Sequence, residues 1–532
     1  MIKGGVNTTR DYAELMTFGH WTGSIVHVDK PLLQGGIVAV YYLPGTLIGA
    51  LWGGWLGDRY GRIFTIAFAT LWAIVGAALQ CSAMNADWMF CARVFNGVGT
   101  GILNAITPVW ATETASHTSH SCSLSFRALN VRGQKRRQIF GANQGFFLSY
   151  SGTSFYGDGT SGFIWRFPIA FQIVPLLALL AIVWWMPESP RWLVKVGRDA
   201  EARFILGRLR GEAGDDEGLA EAEFQDIKNI CRLEQENSQQ SSYVSMLLGL
   251  KQGKLHTARR VQLVVWLQIL QEWIGIAGIT IYGPTIFTIA GIAPADRQWV
   301  SGLNNITYMF ATLICVFTLD RIGRRWTLWW GAAGQAITLF CAGGLAYATQ
   351  HSTGSHKEHV GGAAVFFVFL YTAIFGATWL TVPWLYPAEI FPLQIRAKGN
   401  AWGVIGWSIG NGWTVLLLPT IFERLNEKTL YVFGAVNIFA IGVVWAFYPE
   451  SNQRTLEEMN LVFAADSVWT WDAEKHFAKL KEQNPDLVRA ARRGSSVGEA
   501  QLGMVRRLSV EENEKEGARR VSLAAVAEAK DL

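Results

Sequence analysis

The chain has 532 residues, of which 50% are hydrophobic and only 16% charged, where a typical soluble protein carries about 25% charged residues. Its net charge of +5 gathers in particular loops, which suits orientation in a bilayer and argues against nucleic acid as a partner. The six cysteines are scattered without a CxxC pair, so neither a disulfide framework nor a metal site is read from them.

In chain order, residues 1–30 carry Lys3, Arg10, Asp11 and Glu14 and lack an apolar run. They are read as an extracytoplasmic N-terminal segment without a cleavable signal peptide. A bilayer-crossing helix needs about 20 mostly apolar residues, because lipid cannot satisfy open backbone groups. Ten segments meet that test: roughly 31–55, 63–84, 89–110, 167–186, 261–289, 301–319, 326–349, 361–386, 398–421 and 429–448. An eleventh, 139–157, is weak, since it contains Asn143 and Gln144 and is rich in Ser and Gly. The polar, basic approach to it, Ser116 to Gln138, reads as foreign to the rest. The weak span is nevertheless needed to keep the basic loops on one side, and the positive-inside rule makes that side cytoplasmic. The predicted organisation is an N-terminal bundle over 31–186, atypical over 116–157, and a cytoplasmic linker over 187–260 with amphipathic helices at Ala200–Leu209 and Leu219–Leu233. A six-helix bundle over 261–448 and a cytoplasmic tail over 449–532 follow. The 24 tryptophans fit membrane–water interfaces, where an apolar ring with one polar N–H is at home. Asn7-Thr8-Thr9 is a glycosylation sequon on the extracytoplasmic side.

Two motifs recur at one displacement. Asp58-Arg59-Tyr60-Gly61-Arg62 returns as Asp320-Arg321-Ile322-Gly323-Arg324, and Pro187-Glu188-Ser189 returns as Pro449-Glu450-Ser451. Both shifts are 262 residues (320 − 58 and 449 − 187). The chain is therefore expected to be all-α, polytopic and built from two homologous halves, as many secondary transporters are. By the same offset, the counterpart of the helix at 261–289 should begin at about the first residue. Residues 1–28 are too charged for that, so the expectation is eleven spans with the opening helix of the first half missing.

The turn Gly54-Trp55-Leu56-Gly57-Asp58-Arg59-Tyr60-Gly61-Arg62 uses glycine for close helix approach and a sharp bend. Together with Pro187-Glu188-Ser189-Pro190-Arg191-Trp192-Leu193, the second Asp-Arg turn with Arg325, Pro387-Ala388-Glu389-Ile390-Phe391-Pro392, and Pro449-Glu450-Ser451 with Arg454-Thr455-Leu456-Glu457-Glu458, it resembles the sugar porter family of the major facilitator superfamily, in its fungal form. The resemblance implies the major facilitator fold and alternating access. It also implies Glu–Arg pairs that latch the cytoplasmic side, drawn here from Asp58, Arg59, Arg62, Glu113, Glu188, Arg191, Asp320, Arg321, Arg324, Arg325, Glu389, Arg396, Glu450 and Arg454.

The family's Gln-Gln-x-x-Gly-x-Asn pattern reads here Gln271-Glu272-Trp273-Ile274-Gly275-Ile276-Ala277. Gln271 matches, while Glu272 and Ala277 depart, so the resemblance implies a sugar site that is not of the standard glucose kind. Tyr308 stands where many relatives place Asn. Trp384 matches the family tryptophan that stacks on the sugar ring, with an ordinary interface tryptophan as the alternative. Asn411 falls at a matching amide position, and Gln144 is the first half's candidate polar group. Glu272 lies well inside a span, where a carboxylate is costly and usually functional. It is expected to bind substrate hydroxyls and a coupling proton, or else to stay ionised as a hydrated wall. In the family's proton symporters the residue matching Arg93 pairs with an Asp on the opening helix. Here Arg93 is either unpaired or snorkels to the interface.

The tail carries Arg-Arg-x-Ser sequences at Ser495, Ser509 and Ser522, which fit a basophilic kinase or simply a polar disordered tail. No P-loop occurs, which removes ATP-driven pumping. The resulting expectation is a non-enzymatic plasma-membrane transporter of a monosaccharide or polyol, facilitative or proton-coupled, with no cofactor beyond that proton. The competing readings are a non-transporting sugar sensor and a defective splice form.

Overall fold

The structure is a computed structural model that describes residues 9–22, 25–114, 162–210, 243–249, 256–293, 296–352, 355–391, 395–452, 456–463 and 467–483, with position 6, position 454 and parts of 220–231. Asn7, the segment 116–157 with Gln144, and the tail serines Ser495, Ser509 and Ser522 lie outside the described residues.

The helices, in chain order, are α1 (Arg10–Leu15), α2 (Pro31–Tyr60), α3 (Arg62–Cys81), α4 (Ala86–Glu113), α5 (Phe163–Phe171 continuing as Ile173–Val183), α6 (Pro190–Lys195), α7 (Asp199–Arg210) and α8 (Tyr243–Leu248). After them come α9 (Thr257–Ile281), α10 (Gly283–Ile289), α11 (Arg297–Ile322), α12 (Arg324–His351), α13 (Ser355–Ala377), α14 (Val382–Ile390), α15 (Arg396–Leu425), α16 (Lys428–Phe447), α17 (Leu456–Phe463) and α18 (Thr470–Gln483). Each of the ten strong segments coincides with one of these helices or an adjoining pair, and α7 covers the first predicted linker helix. Among the described residues, seven helices are long and apolar enough to cross a membrane. The largest apolar core sits in the second half, between α9, α11, α12, α13, α15 and α16.

Two helix ends show why the repeated motif has its sequence. Gly61 and Gly323 take φ of +95° and +96°, a region that side chains with a Cβ disfavour. Each closes one helix and opens the next. The Glu188 carboxylate accepts the backbone N–H of Arg62 at 3.0 Å and of Ile63 at 3.2 Å. Glu450 accepts those of Arg324 and Arg325 at 2.8 and 3.0 Å. A carboxylate thus caps the open N–H groups and positive dipole end of each following helix, and the 262-residue repeat is a repeat of this geometry.

Residues 9–28 form no span. α1 leads into a hairpin, Gly19–Thr22 against Ile25–Val28, in antiparallel register with Gly19 opposite Val28. Tyr12, Met16 and Phe18 are buried against Trp165, Met89 and Ile169, so this segment packs onto one end of the first half.

Candidate functional site

The helix that opens the second half is broken where the departing motif lies. Over Glu272–Ile276 α9 widens into a π-helical turn, and Gly275 takes φ +116°. A Cβ there would meet the Phe433 ring at 3.1 Å. The break frees the Ile274 carbonyl, which accepts from the Tyr371 hydroxyl at 3.0 Å and the Asn437 amide at 2.9 Å. Broken backbone at membrane depth is tolerated only where such partners exist. The amides of Gln268 and Gln271 donate to Pro383 O at 3.1 Å and Trp379 O at 2.9 Å, tying α9 to the chain entering α14. Among the described residues neither buried side-chain oxygen has a partner, which leaves two acceptors for donors from elsewhere.

Glu272 is only 5% exposed. The side chains of Asn411 and Trp407, one turn apart on α15, hydrogen-bond to its carboxyl, and no cation acts on it among the described residues. Trp407 meets the edge of Tyr42 at 5.4 Å and of Trp384 at 5.7 Å between ring centroids. Tyr308 is buried with its ring 5.9 Å from Phe375. The structure therefore brings Glu272, Asn411 and Trp384 to one place around Trp407, with Gln271 beside them on α9. Acceptors, amide donors and a flat aromatic surface are what recognition of a hydroxylated ring requires.

Tyr42, Trp407 and the Thr46–Ser408 pair were not singled out in the sequence. The hydroxyls of Thr46 and Ser408 are 2.6 Å apart and buried. They join α2 of the first half to α15 of the second, with Gly412 against Leu43 and Gly35 against Leu416 on the same seam. Tyr41–Thr46 forms a π-helical turn containing Pro44, which cannot donate to the helical ladder. Tyr-Tyr-Leu-Pro-Gly-Thr inside a span was the signal that could have found it.

At the helix ends opposite the hairpin, the charged residues form two networks. Arg62 pairs with Glu113 at 2.8 Å and Asp58 at 3.4 Å, and Arg324 pairs with Glu389 at 2.8 Å. Arg191 on α6 acts on Glu113, while Lys195 reaches Asp58 at 3.5 Å. These pairs bind each half to itself rather than one half to the other. Arg59 is exposed over the Trp55 and Tyr60 rings. Arg321 is exposed, Arg396 starts α15, Arg325 donates to Trp445 O at 2.6 Å, and the Asp320 side chain lies outside the described residues. Arg454 forms a two-point pair with Glu474 of α18 at 2.9 and 2.7 Å, a partner that sequence reading did not supply. Arg93 is 1% exposed, so it does not snorkel. Its Nη2 donates to the Tyr12 hydroxyl at 3.2 Å, and its Nε and Nη1 have no hydrogen-bond partner among the described residues.

The family model described as "Sugar (and other) transporter" matches residues 6–463. MFS-type transporter oryC of Aspergillus oryzae is 30% identical over 86% of this chain and 81% of its own. Sugar transporter STL1 of Saccharomyces cerevisiae is 29% identical over 85% and 76%, and the arabinose-proton symporter of Escherichia coli 27% over 80% and 84%. Among solved structures, the proton:xylose symporter XylE bound to 6-bromo-6-deoxy-D-glucose superposes with a TM-score of 0.64 at 22% identity, covering 87% of this chain and 97% of that one. The fold is thus that of the major facilitator superfamily, and the chain belongs to the sugar (and other) transporter family.

Proposed function

We propose that the chain carries a monosaccharide or related polyol across the plasma membrane by alternating access, coupled to a proton held by Glu272. The observation that supports it best is a buried carboxyl with no cation acting on it among the described residues, set in a broken helix at the seam between the halves. Keeping such a group charged out of water is costly, and a proton removes the cost. With the proton in place, Glu272 donates to or accepts from substrate hydroxyls, Gln271 and Gln268 offer their free oxygens, Asn411 adds an amide, and Trp384 presents its face to the ring. Rocking of α15 against α2 then exposes the group to the other side, where the proton and the sugar leave together. The names of the arabinose-proton and proton:xylose relatives support both the solute class and the coupling.

The test is radiolabelled pentose, hexose and polyol uptake in transporter-null cells, with surface localisation checked alongside. Glu272→Gln is expected to keep exchange of internal for external sugar while losing accumulation against a gradient. Accumulation that persists with unchanged pH dependence would remove Glu272 from the coupling.

A further inference from the structure

A row of aromatic rings joins the tail to the end of the last membrane helix. Trp445 lies in the final turn of α16 and is 55% exposed, pointing outward from the bundle where lipid would be. Trp471, in the first turn of α18, sits 5.1 Å from it. Trp469 stacks on Trp471 at 4.8 Å and on Phe447 at 5.2 Å between centroids. The tail therefore returns to the end of the last apolar helix with a cluster of tryptophans, a residue favoured at membrane interfaces. On its inner side α18 is fixed by Ala473 and Phe477 against Val462, and by the Arg454–Glu474 pair. Trp471, Lys475, Ala478, Lys479 and Glu482 follow one another at helical spacing on the other side, and both lysines are exposed. Of the acidic groups near this stripe, Asp472 accepts from the Ser467 hydroxyl at 3.0 Å, and Glu482 is exposed at the far end. Arg325 adds a third cation at the end of α16 by donating to Trp445 O.

From this we infer that α18 lies along the membrane surface and binds anionic phospholipid headgroups through Lys475 and Lys479, with Trp471 and Trp445 as its anchor. An interfacial helix of this kind puts its apolar ring at the acyl boundary and its cations among the phosphates. The inference needs only that the chain spans a membrane, and is independent of the solute and of Glu272.

The test uses the full chain carrying Ala478→Cys as its single cysteine, labelled with a nitroxide, in nanodiscs of phosphatidylcholine alone or mixed with phosphatidylserine. Phosphatidylserine is expected to lower access of a water-soluble nickel relaxant to the label severalfold, and added salt to restore it. The double variant Lys475→Glu/Lys479→Glu should abolish the lipid difference while sugar uptake stays unchanged, which shows that the chain still folds. Equal access in the two discs, whether high or low, overturns the inference. So does equal protection by free inorganic phosphate in discs without phosphatidylserine.

Discussion

Glu272 shares its surroundings with neutral donors, Asn411 and Trp407, and with no cation among the described residues. This separates it from Glu113 in the first half, a largely covered carboxylate that is held by Arg62. Trp384→Ala removes an aromatic face that meets Trp407. It is expected to raise the half-saturation constant for sugar about tenfold, or ~1.4 kcal/mol, with surface expression unchanged. An unaltered constant would return Trp384 to the ordinary interface reading. The sequence pointed to Glu272 through a departure from a motif, but Tyr42 and Trp407 gave no comparable signal, because tyrosine and tryptophan are common throughout this chain and only proximity distinguishes these two.

Two helix starts are held by carboxylate caps. Gly61 combines a positive φ with a Glu188 oxygen 2.7 Å from where a Cβ would stand, and Gly323 has the same relation to Glu450. Gly61→Ala and Gly323→Ala should each lower stability by about 1–2 kcal/mol or more, read as the thermal midpoint in detergent. Equal behaviour of the two variants would reflect the equivalence of the two turns. Arg62→Gln leaves Glu113 buried with its principal cation removed, both side chains being under 10% exposed. The expected loss is about 3–5 kcal/mol, and Arg62→Met/Glu113→Leu should recover much of it, since an apolar pair avoids the desolvation penalty. A double variant no better than the single one would show that the pair contributes more than mutual neutralisation.

Across the whole molecule, the two halves meet along α2 and α15, and the Thr46–Ser408 hydroxyls mark a point where they touch. If transport needs that seam to open, Thr46→Cys/Ser408→Cys should lose uptake more than tenfold on oxidation and regain it with reductant. Uptake that survives a demonstrated cross-link would place the moving interface elsewhere. The charged networks add a constraint of their own. Because Arg62–Glu113 and Arg324–Glu389 each lie within one half, they hold each half together in this structure.

By itself, the sequence determined the membrane class, the helices at the ten apolar segments, the duplication and the two glycine-centred turns. Each of these rests on local chemistry: run length of apolar residues, glycine where φ is positive, and charge at helix ends, all of which repeat at a constant offset. Only the tertiary structure decided which polar groups meet. Glu272 finds Asn411 and Trp407 across a helix pair, Thr46 finds Ser408 from the opposite half, and Arg454 turns to Glu474 in the tail. Those partners are 20 to 362 residues apart in sequence, and packing of helices, not composition, sets which of them come within hydrogen-bonding reach.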